Sequence, residues 1–279
     1  MVEAFEYQDG SEGKIDIGQS FETTYEMFQG KDPRFLASIY VPGSSLLGST
    51  MQFQRGLILK DGSKYYAQSA PGPSYLLETY IDPETQRKDT IFGKDGGTYT
   101  GDASKTGFNI RKFVNENLKT EAQWDFGKTE TSFPIFRLAE VYLNLAEAAV
   151  EMGKYQTEAF EAIKKIRDRA GVVTPFAVVD VEKVRHERQV ELAFEGHRFW
   201  DMKRWRIAHL PVDQGGLNGF RGAGLHPFFD LRIRKYVFEV ANDLPKRQRV
   251  FTEKNYYTKF SGNDMNSNPS LIQNPEFLN

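Results

Sequence analysis

The chain has no cysteine, which excludes disulfides, thiolate metal sites and cysteine nucleophiles. Its compartment stays open, since many periplasmic and surface proteins also lack cysteine. Histidine is scarce. Of His186, His197, His209 and His226, no two stand at a metal-ligand spacing. His186-Glu187 begins like a zinc-protease helix, but Val190 occupies the place of the second histidine, so no metal is expected. Charge of one sign is missing too. There are 36 Lys and Arg against 38 Asp and Glu, which removes the electrostatic footprint of a nucleic-acid binder. The nearest basic patch, Lys203, Arg204 and Arg206, lies beside Glu195 and Asp201. No window approaches the roughly 18 apolar residues of a membrane-spanning helix. Residues 1–20 carry no basic stretch followed by an apolar run, so the chain is either cytoplasmic or its targeting segment lies outside this sequence. A Gly-x-Ser-x-Gly elbow, a phosphate-binding loop and a dinucleotide fingerprint are all missing, and no cofactor is expected. Gly215-Gly216 and the stretch from Gly219 to Gly224 lack a strand-turn-helix setting and read as loop.

Aromatic residues are abundant. Phe and Tyr number 22 and 13, more than a chain with 27% charged residues needs for its core alone. Surplus rings often line flat ligands such as sugars, although at any single position a ring is more often core. Length allows one large domain or two small ones, at about 150 residues per domain.

Residues 1–17 read as irregular. Ser20 is expected to cap a short helix with Phe21, Thr24, Tyr25 and Phe28 on one face, closed by Gly30. Asp32-Pro33-Arg34 reads as a turn, and Phe35, Ala37, Ile39 and Val41 as one face of a strand. From 42 to 133, Gly, Ser, Pro and Tyr dominate. Turn signals recur at Pro42-Gly43, Asp61-Gly62, Pro71-Gly72 and Gly96-Gly97, and only short strands fit, such as 56–59 and 108–114. So long a stretch with little regular structure is expected to be functional.

Residues 132–210 are the opposite. A helix over 134–152 carries Ile135, Leu138, Val141, Tyr142, Leu145 and Ala149 as its apolar stripe. Ala139, Ala146 and Ala148 allow a close neighbour, and Gly153 caps the end. A second helix over 157–170 turns Phe160, Ile163 and Ile166 inward and closes at Gly171. Together they read as one tetratricopeptide-like unit. Asp180 caps a third helix running to about Glu195, and Gly196 bends or breaks it before a helix that reaches Arg206. Helical repeats need about three units to close a core, so part of the stack is missing or comes from a partner.

The densest charge cluster holds Glu187, Arg188, Glu191, Glu195, His197, Arg198 and Asp201, with Phe194, Phe199, Trp200 and Trp205 interleaved. Arg188 can meet Glu191, and Arg198 can meet Glu195, one helical turn away. Glu191 and Glu195 are either a catalytic carboxylate pair or part of an Arg–Glu lattice that docks the helix. The second is expected, because buried carboxylates must be paired and arginines are at hand. A glycosidase would need two carboxylates across a sugar, and Asp61, Glu78, Asp82, Glu84 and Asp89 lie among aromatics. This stays as the enzyme alternative.

Three runs carry a resemblance. Phe133-Pro134-Ile135-Phe136-Arg137-Leu138-Ala139-Glu140 continuing through Glu147-Ala148, then Ile166-Arg167-Asp168-Arg169-Ala170-Gly171, resemble helices of SusD/RagB-type proteins. The fit is strongest from Glu187-Arg188 through Glu191, Phe194-Glu195-Gly196-His197-Arg198-Phe199-Trp200-Asp201 to Trp205. Asp32-Pro33-Arg34, Val41-Pro42-Gly43, the run from Gly107 to Phe113, and Gln273-Asn274-Pro275 add to it. The resemblance reaches from about Ser20 to the end and corresponds to the C-terminal half of such proteins. Their signal peptide, lipid-bearing cysteine and most repeat helices are not in this sequence.

The implied fold is mainly α, a tetratricopeptide-like helical scaffold with a loop-rich subdomain containing short β-strands. It would be a single region with a loop-rich, ligand-facing part over 20–131, the scaffold over 132–210 and C-terminal loops over 211–279. The implied role is non-catalytic. A lipoprotein at the surface of a Bacteroidetes-type outer membrane holds glycans, or sometimes peptides, for a SusC-like TonB-dependent transporter. Arg137, Glu140, Glu147, Arg167, Glu187, Arg188, Glu191, Glu195, Arg198 and Asp201 then belong to the scaffold. Sugar recognition needs flat apolar faces with polar groups around them, so Tyr65, Tyr66, Tyr75, Tyr80 and Trp124 are the ligand-facing candidates. The other class of function is a tetratricopeptide-like module that binds a peptide or protein.

Overall fold

The structure, a computed structural model, describes residues 1–66, 79–96, 104–117, 131–241 and 248–277. They divide into two units, Met1–Glu195 with Ala223–Leu244, and Gly196–Gly222 with Pro245–Asn279.

In the first unit the helices are α1 (Pro33–Ser38), α2 (Leu138–Glu151), α3 (Gln156–Ala170) and α4 (Val181–Glu191). The strands that frame the site are β1 (Ser20–Phe21), β2 (Ile39–Tyr40), β3 (Ser45–Leu46), β4 (Ser49–Thr50), β5 (Gly56–Ile58) and β6 (Lys64–Tyr66). They are followed by β7 (Thr79–Ile81), β8 (Lys88–Thr90), β9 (Asn109–Ile110), β10 (Gly224–Asp230) and β11 (Lys235–Ala241).

The pair α2 and α3 forms as its sequence pattern predicts. Ala139, Leu143 and Ala146 of α2 meet Ala159, Ala162, Ile163 and Ile166 of α3, and Val184 of α4 closes this core. Burying each of the larger side chains contributes roughly 1.5–3 kcal/mol. Both helices end alike. Gly153 and Gly171 take left-handed backbone at φ +64 and +73. The next N–H then reaches back five residues, Lys154 to the Ala149 carbonyl and Val172 to the Arg167 carbonyl. The Asp180 carboxylate accepts the Lys183 N–H at 2.8 Å and starts α4.

Of the stripe expected on the first helix, only Ala149 and Tyr142 face the core. Ile135, Leu138, Val141 and Leu145 are exposed, Ile135 by 84%. Small residues let α3 approach closely, so the alanine side wins the core and the bulky stripe is left outward. The third helix stops at Glu191, because Phe194 and Gly196 take left-handed backbone at φ +66 and +83.

Three other expectations are corrected. Residues 20–28 form no helix: Ser20 and Phe21 pair with Val237 and Tyr236 at the sheet edge, and only Glu26–Phe28 makes a helical turn. Residues 33–38 are helix, not strand. Asp32 accepts the Arg34 N–H at 2.8 Å, and Pro33 sits at the first helical position, where its missing N–H costs nothing. Residues 211–279 are not all loop. Gly224–Asp230, with Phe228 buried, and Lys235–Ala241, with Tyr236 and Phe238 at strand spacing, build a long hairpin, β10 with β11, at the centre of a 5-stranded sheet ordered β1-β11-β10-β5-β6. Only the β10–β5 pairing is parallel. Residues 1–17 are mostly irregular, apart from a helical turn at Val2–Ala4 and a bridge from Tyr7 to Lys31, and Phe5 is fully buried with Phe28, Phe35 and Phe238.

In the second unit, α5 (His197–Arg204) and α6 (Gly262–Ser267) are accompanied by short helical turns at Val212–Gln214, Glu253–Tyr256 and Pro275–Phe277. Met202, Ala208 and Phe251 are its core. Ser261 and Asp264 hydrogen-bond each other's backbone N–H groups at the start of α6.

Candidate functional site

Glu187 and Glu191 stand four residues apart and share one face of α4. Both are buried, at 1% and 2% exposure, and each meets arginines from other elements. Arg34 of α1 donates to Glu187 Oε1 at 2.5 Å and to Glu191 Oε2 at 2.9 Å. Arg167 of α3 donates to Glu187 Oε2 at 3.0 Å and to Glu6 at 2.5 Å. Arg169 grips both oxygens of Glu191, at 2.6 and 2.8 Å. Arg137, just before α2, donates to Glu191 Oε1 at 2.5 Å and to both oxygens of Glu195 at 2.8 Å. Lys112 adds an ion pair to Glu195 at 2.5 Å. Arg188 reaches Asn144 at 2.8 Å and Glu140 at 3.6 Å on α2, and Glu147 is buried on the same helix.

Burial alone would raise the Glu191 and Glu195 carboxyls. Hydrogen bonds from Arg137 to both, from Arg34 to Glu191 and from Lys112 to Glu195 outweigh it and hold both below the usual range. Each oxygen of Glu187, Glu191 and Glu195 is engaged by a cation. Such a lattice ties distant segments together. In the second unit, Asp201 is buried and accepts Arg204 Nε at 3.0 Å, and the Arg198 guanidinium lies 5.7 Å over Trp205.

The tyrosine candidates lie on β6, an edge strand of the sheet, and on the β7–β8 hairpin. Tyr75 and Trp124 fall outside the described residues. Successive strand residues face opposite ways, so Tyr65 and Tyr66 do not share a platform. Tyr65 is opposite Leu57, and its ring lies 5.8 Å from that of Tyr80, which packs against the cluster of Leu57, Ile91, Phe92 and Leu231. Tyr66 is opposite Gly56, and its ring meets Phe228 edge-on at 5.6 Å. Gly56 has no side chain to keep the two rings apart; a Cβ there would stand 3.0 Å from the Phe228 ring. Tyr65 and Tyr66 remain 41% and 44% exposed. Charged groups frame them: the Arg55 guanidinium lies 6.0 Å over the Tyr66 ring, and Lys64 pairs with Glu239 at 2.5 Å.

The described carboxylates of the glycosidase alternative, Asp61, Asp82, Glu84 and Asp89, have internal partners. Asp61 accepts the N–H and hydroxyl of Ser63 at 2.9 and 2.6 Å in the β5–β6 turn. Asp82 accepts the N–H groups of Thr85 and Glu84 and pairs with Lys60, which together pull its pKa down to about 2. Asp89 takes a two-pronged contact from Arg234 at 2.7 and 2.8 Å, and Glu84 pairs with Lys60 at 2.5 Å. Glu78 lies outside the described residues. Asp61 is lowered as well, by its Ser63 hydrogen bonds, whereas a general acid needs a raised pKa.

One concave feature of this unit was not foreseen. A cleft of about 600 Å³ is lined by Tyr40, Leu46, Met51, Thr106, Phe108 and Asn109, among others. Its Tyr40 hydroxyl donates to Glu116 at 2.6 Å, and Arg111 grips the same carboxylate at 2.6 and 3.0 Å. The lining comes from segments far apart in sequence, so no local motif announces it.

The profile of the SusD family matches residues 1–277. The "SusD-like protein P2" of Formosa agariphila is 31% identical over 101 residues, 32% of this chain and 20% of that protein. The "SusD-like protein P25" of the same organism is 39% identical over 80 residues, 26% of this chain and 15% of that protein. A solved SusD-like protein from Bacteroides fragilis superposes with a TM-score of 0.60 at 25% identity, covering 98% of this chain and 45% of the other. The chain thus spans less than half the length of that solved structure, and its matches cover a fifth or less of the two Formosa proteins.

Proposed function

For this chain, which belongs to the SusD family, we propose non-catalytic binding of glycans, with the tyrosines at the β6 edge as contact surfaces. The observation that carries this is the pair of half-exposed rings, Tyr65 and Tyr66, on the two faces of one edge strand and flanked by Arg55, Lys64 and Tyr80. Flat rings cover the C–H faces of a sugar, and neighbouring charged groups bond its hydroxyls. Tyr75 and Trp124 are proposed as further ligand contacts. The lattice of Glu187, Glu191 and Glu195 holds the scaffold and takes no ligand. Within the family setting, the cargo passes to a SusC-like TonB-dependent transporter at the outer membrane, with the protein anchored at the cell surface as a lipoprotein and the whole chain forming one region of the family fold. The test is affinity electrophoresis against a polysaccharide panel, repeated with Tyr65→Ala, Tyr66→Ala and Trp124→Ala. At least one variant is expected to lose retardation; unchanged retardation in all three overturns the surface.

One observation favours a second use. The outer face of α2 presents Leu138, Val141 and Leu145, continued by Ile135 and Phe136 just before it, all exposed. Contiguous apolar surface of this kind marks contact with another helix or a peptide. Glycan soaking separates the two uses, since only the nutrient binder places saccharide over a tyrosine ring.

A further inference from the structure

The helix ends of α2, α3 and α5 make the same closure. After α5, the Arg206 N–H bonds the Lys203 carbonyl and the Ile207 N–H bonds the Met202 carbonyl, both at 3.1 Å. The left-handed position is taken by Gly153 after α2 and by Gly171 after α3, but after α5 by Arg206, at φ +59. A side chain there is strained, and glycine is the ordinary solution.

What the arginine does is visible. Its guanidinium lies 4.6 Å from the Tyr256 ring and 5.2 Å from the Tyr257 ring, and it donates to the Tyr257 hydroxyl at 2.7 Å. The Tyr256 hydroxyl accepts the His209 backbone N–H at 3.2 Å and meets His209 Nδ1 at 2.8 Å. The other ring nitrogen of His209 is 3.8 Å from Glu253. Beyond them, the Gln273 side chain pairs with both the N–H and the carbonyl of Phe260, and Asn274 donates to the Thr258 carbonyl at 2.6 Å. Those contacts fix the segment that carries Glu276. Arg206, His209, Glu253, Tyr256, Tyr257 and Glu276 enclose a cleft of about 260 Å³ within the second unit.

We propose that this cleft is a separate binding site for a single neutral sugar ring. Its volume is below the roughly 300 Å³ at which drug-sized pockets begin, so it suits a ligand of one ring. Glu253 and Glu276 disfavour an anion, and Arg206 disfavours a bare cation. A ring bearing hydroxyls satisfies both signs, since a hydroxyl donates to a carboxylate and accepts from a guanidinium. The phenols and His209 add donors and acceptors, and the Tyr257 ring supplies a partly exposed apolar face. The ligand class rests on the glycan-binding function above; the position of the site does not.

The test is saturation-transfer NMR on the whole chain with methyl α-D-glucopyranoside, methyl α-D-mannopyranoside, methyl β-D-galactopyranoside and N-acetylglucosamine. At least one is expected to receive transfer. Arg206→Gly and Glu276→Gln are expected to weaken it about tenfold or more. Arg206→Gly should keep the parent melting temperature or exceed it, because glycine relieves the strained turn. Transfer unchanged in either cleft variant, or no transfer to any of the four from the parent, overturns the site. Polysaccharide retardation, read in parallel, separates the two claims. If retardation persists while the cleft variants change nothing, only the cleft falls; if the parent is retarded by no polysaccharide, glycan binding falls too.

Discussion

The carboxylates of α4 and the tyrosines of β6 are both dense clusters of functional side chains, and the fold treats them in opposite ways. Glu187, Glu191 and Glu195 turn inward, where Arg34, Arg137, Arg167, Arg169 and Lys112 occupy their oxygens. Tyr65 and Tyr66 sit on an edge strand and keep much of their surface in solvent. A charged motif that dominates a sequence can thus be consumed by internal pairing, while the surface proposed for binding lies on short loop-borne strands with little pattern. Chemistry available to a ligand is the chemistry left over after internal partners are satisfied.

The largest effect is expected at the lattice. Glu191→Ala leaves Arg34, Arg137 and Arg169 facing a gap in a buried site, and should cost about 3–5 kcal/mol in urea denaturation. A cost under about 1 kcal/mol would mean that the lattice does not hold the helices.

Acid should act through the same groups. The folded pKa values of Glu191 and Glu195 lie below 4.5, so their contribution to stability is complete above that pH. It is lost as pH falls through the folded values. Melting temperature should therefore drop steeply below pH 4.5, more in the parent than in Glu191→Gln, and equal drops would break the link.

A smaller effect is expected where the two sheet-edge rings depend on Gly56. Its added Cβ would stand 2.6 Å from the Tyr65 carbonyl, so Gly56→Ala should cost about 1–3 kcal/mol and displace β6. Thermal melts and glycan affinity should fall together. At the low end, Tyr65→Ala and Tyr66→Ala should each cost under about 1 kcal/mol of stability, yet weaken glycan binding by about 0.5–1.5 kcal/mol, the value of one ring contact. Calorimetry on folded variants checks this split.

Much of the helical part was legible because local signals and packing agree there. Asp180 caps α4, Gly153 and Gly171 close α2 and α3, and Ile163 and Ile166 recur at helical spacing. The buried side of α2 was not, because both of its sides are apolar and only the neighbour decides between them. At Asp32-Pro33, the alternation from Phe35 to Val41 imitated a strand and hid a capped helix. The β10–β11 hairpin was masked by its glycine-rich approach, by Pro227 and the adjacent Phe228 and Phe229 in β10, and by its charged turn of Asp230, Arg232 and Arg234. For the candidate site, strand period alone would have separated Tyr65 from Tyr66. The approach of Tyr80 to Tyr65, and the gathering of Arg206 with Tyr256 and Tyr257, depend on loop paths that no local pattern encodes.

The most direct measurement is a crystal of the chain soaked with an oligosaccharide that retards it in gels. Saccharide density stacked on the Tyr65 or Tyr66 ring, with the contacts of Glu187, Glu191 and Glu195 unchanged, is the predicted result. Saccharide bonded to those carboxylates, with the β6 edge bare, would contradict it.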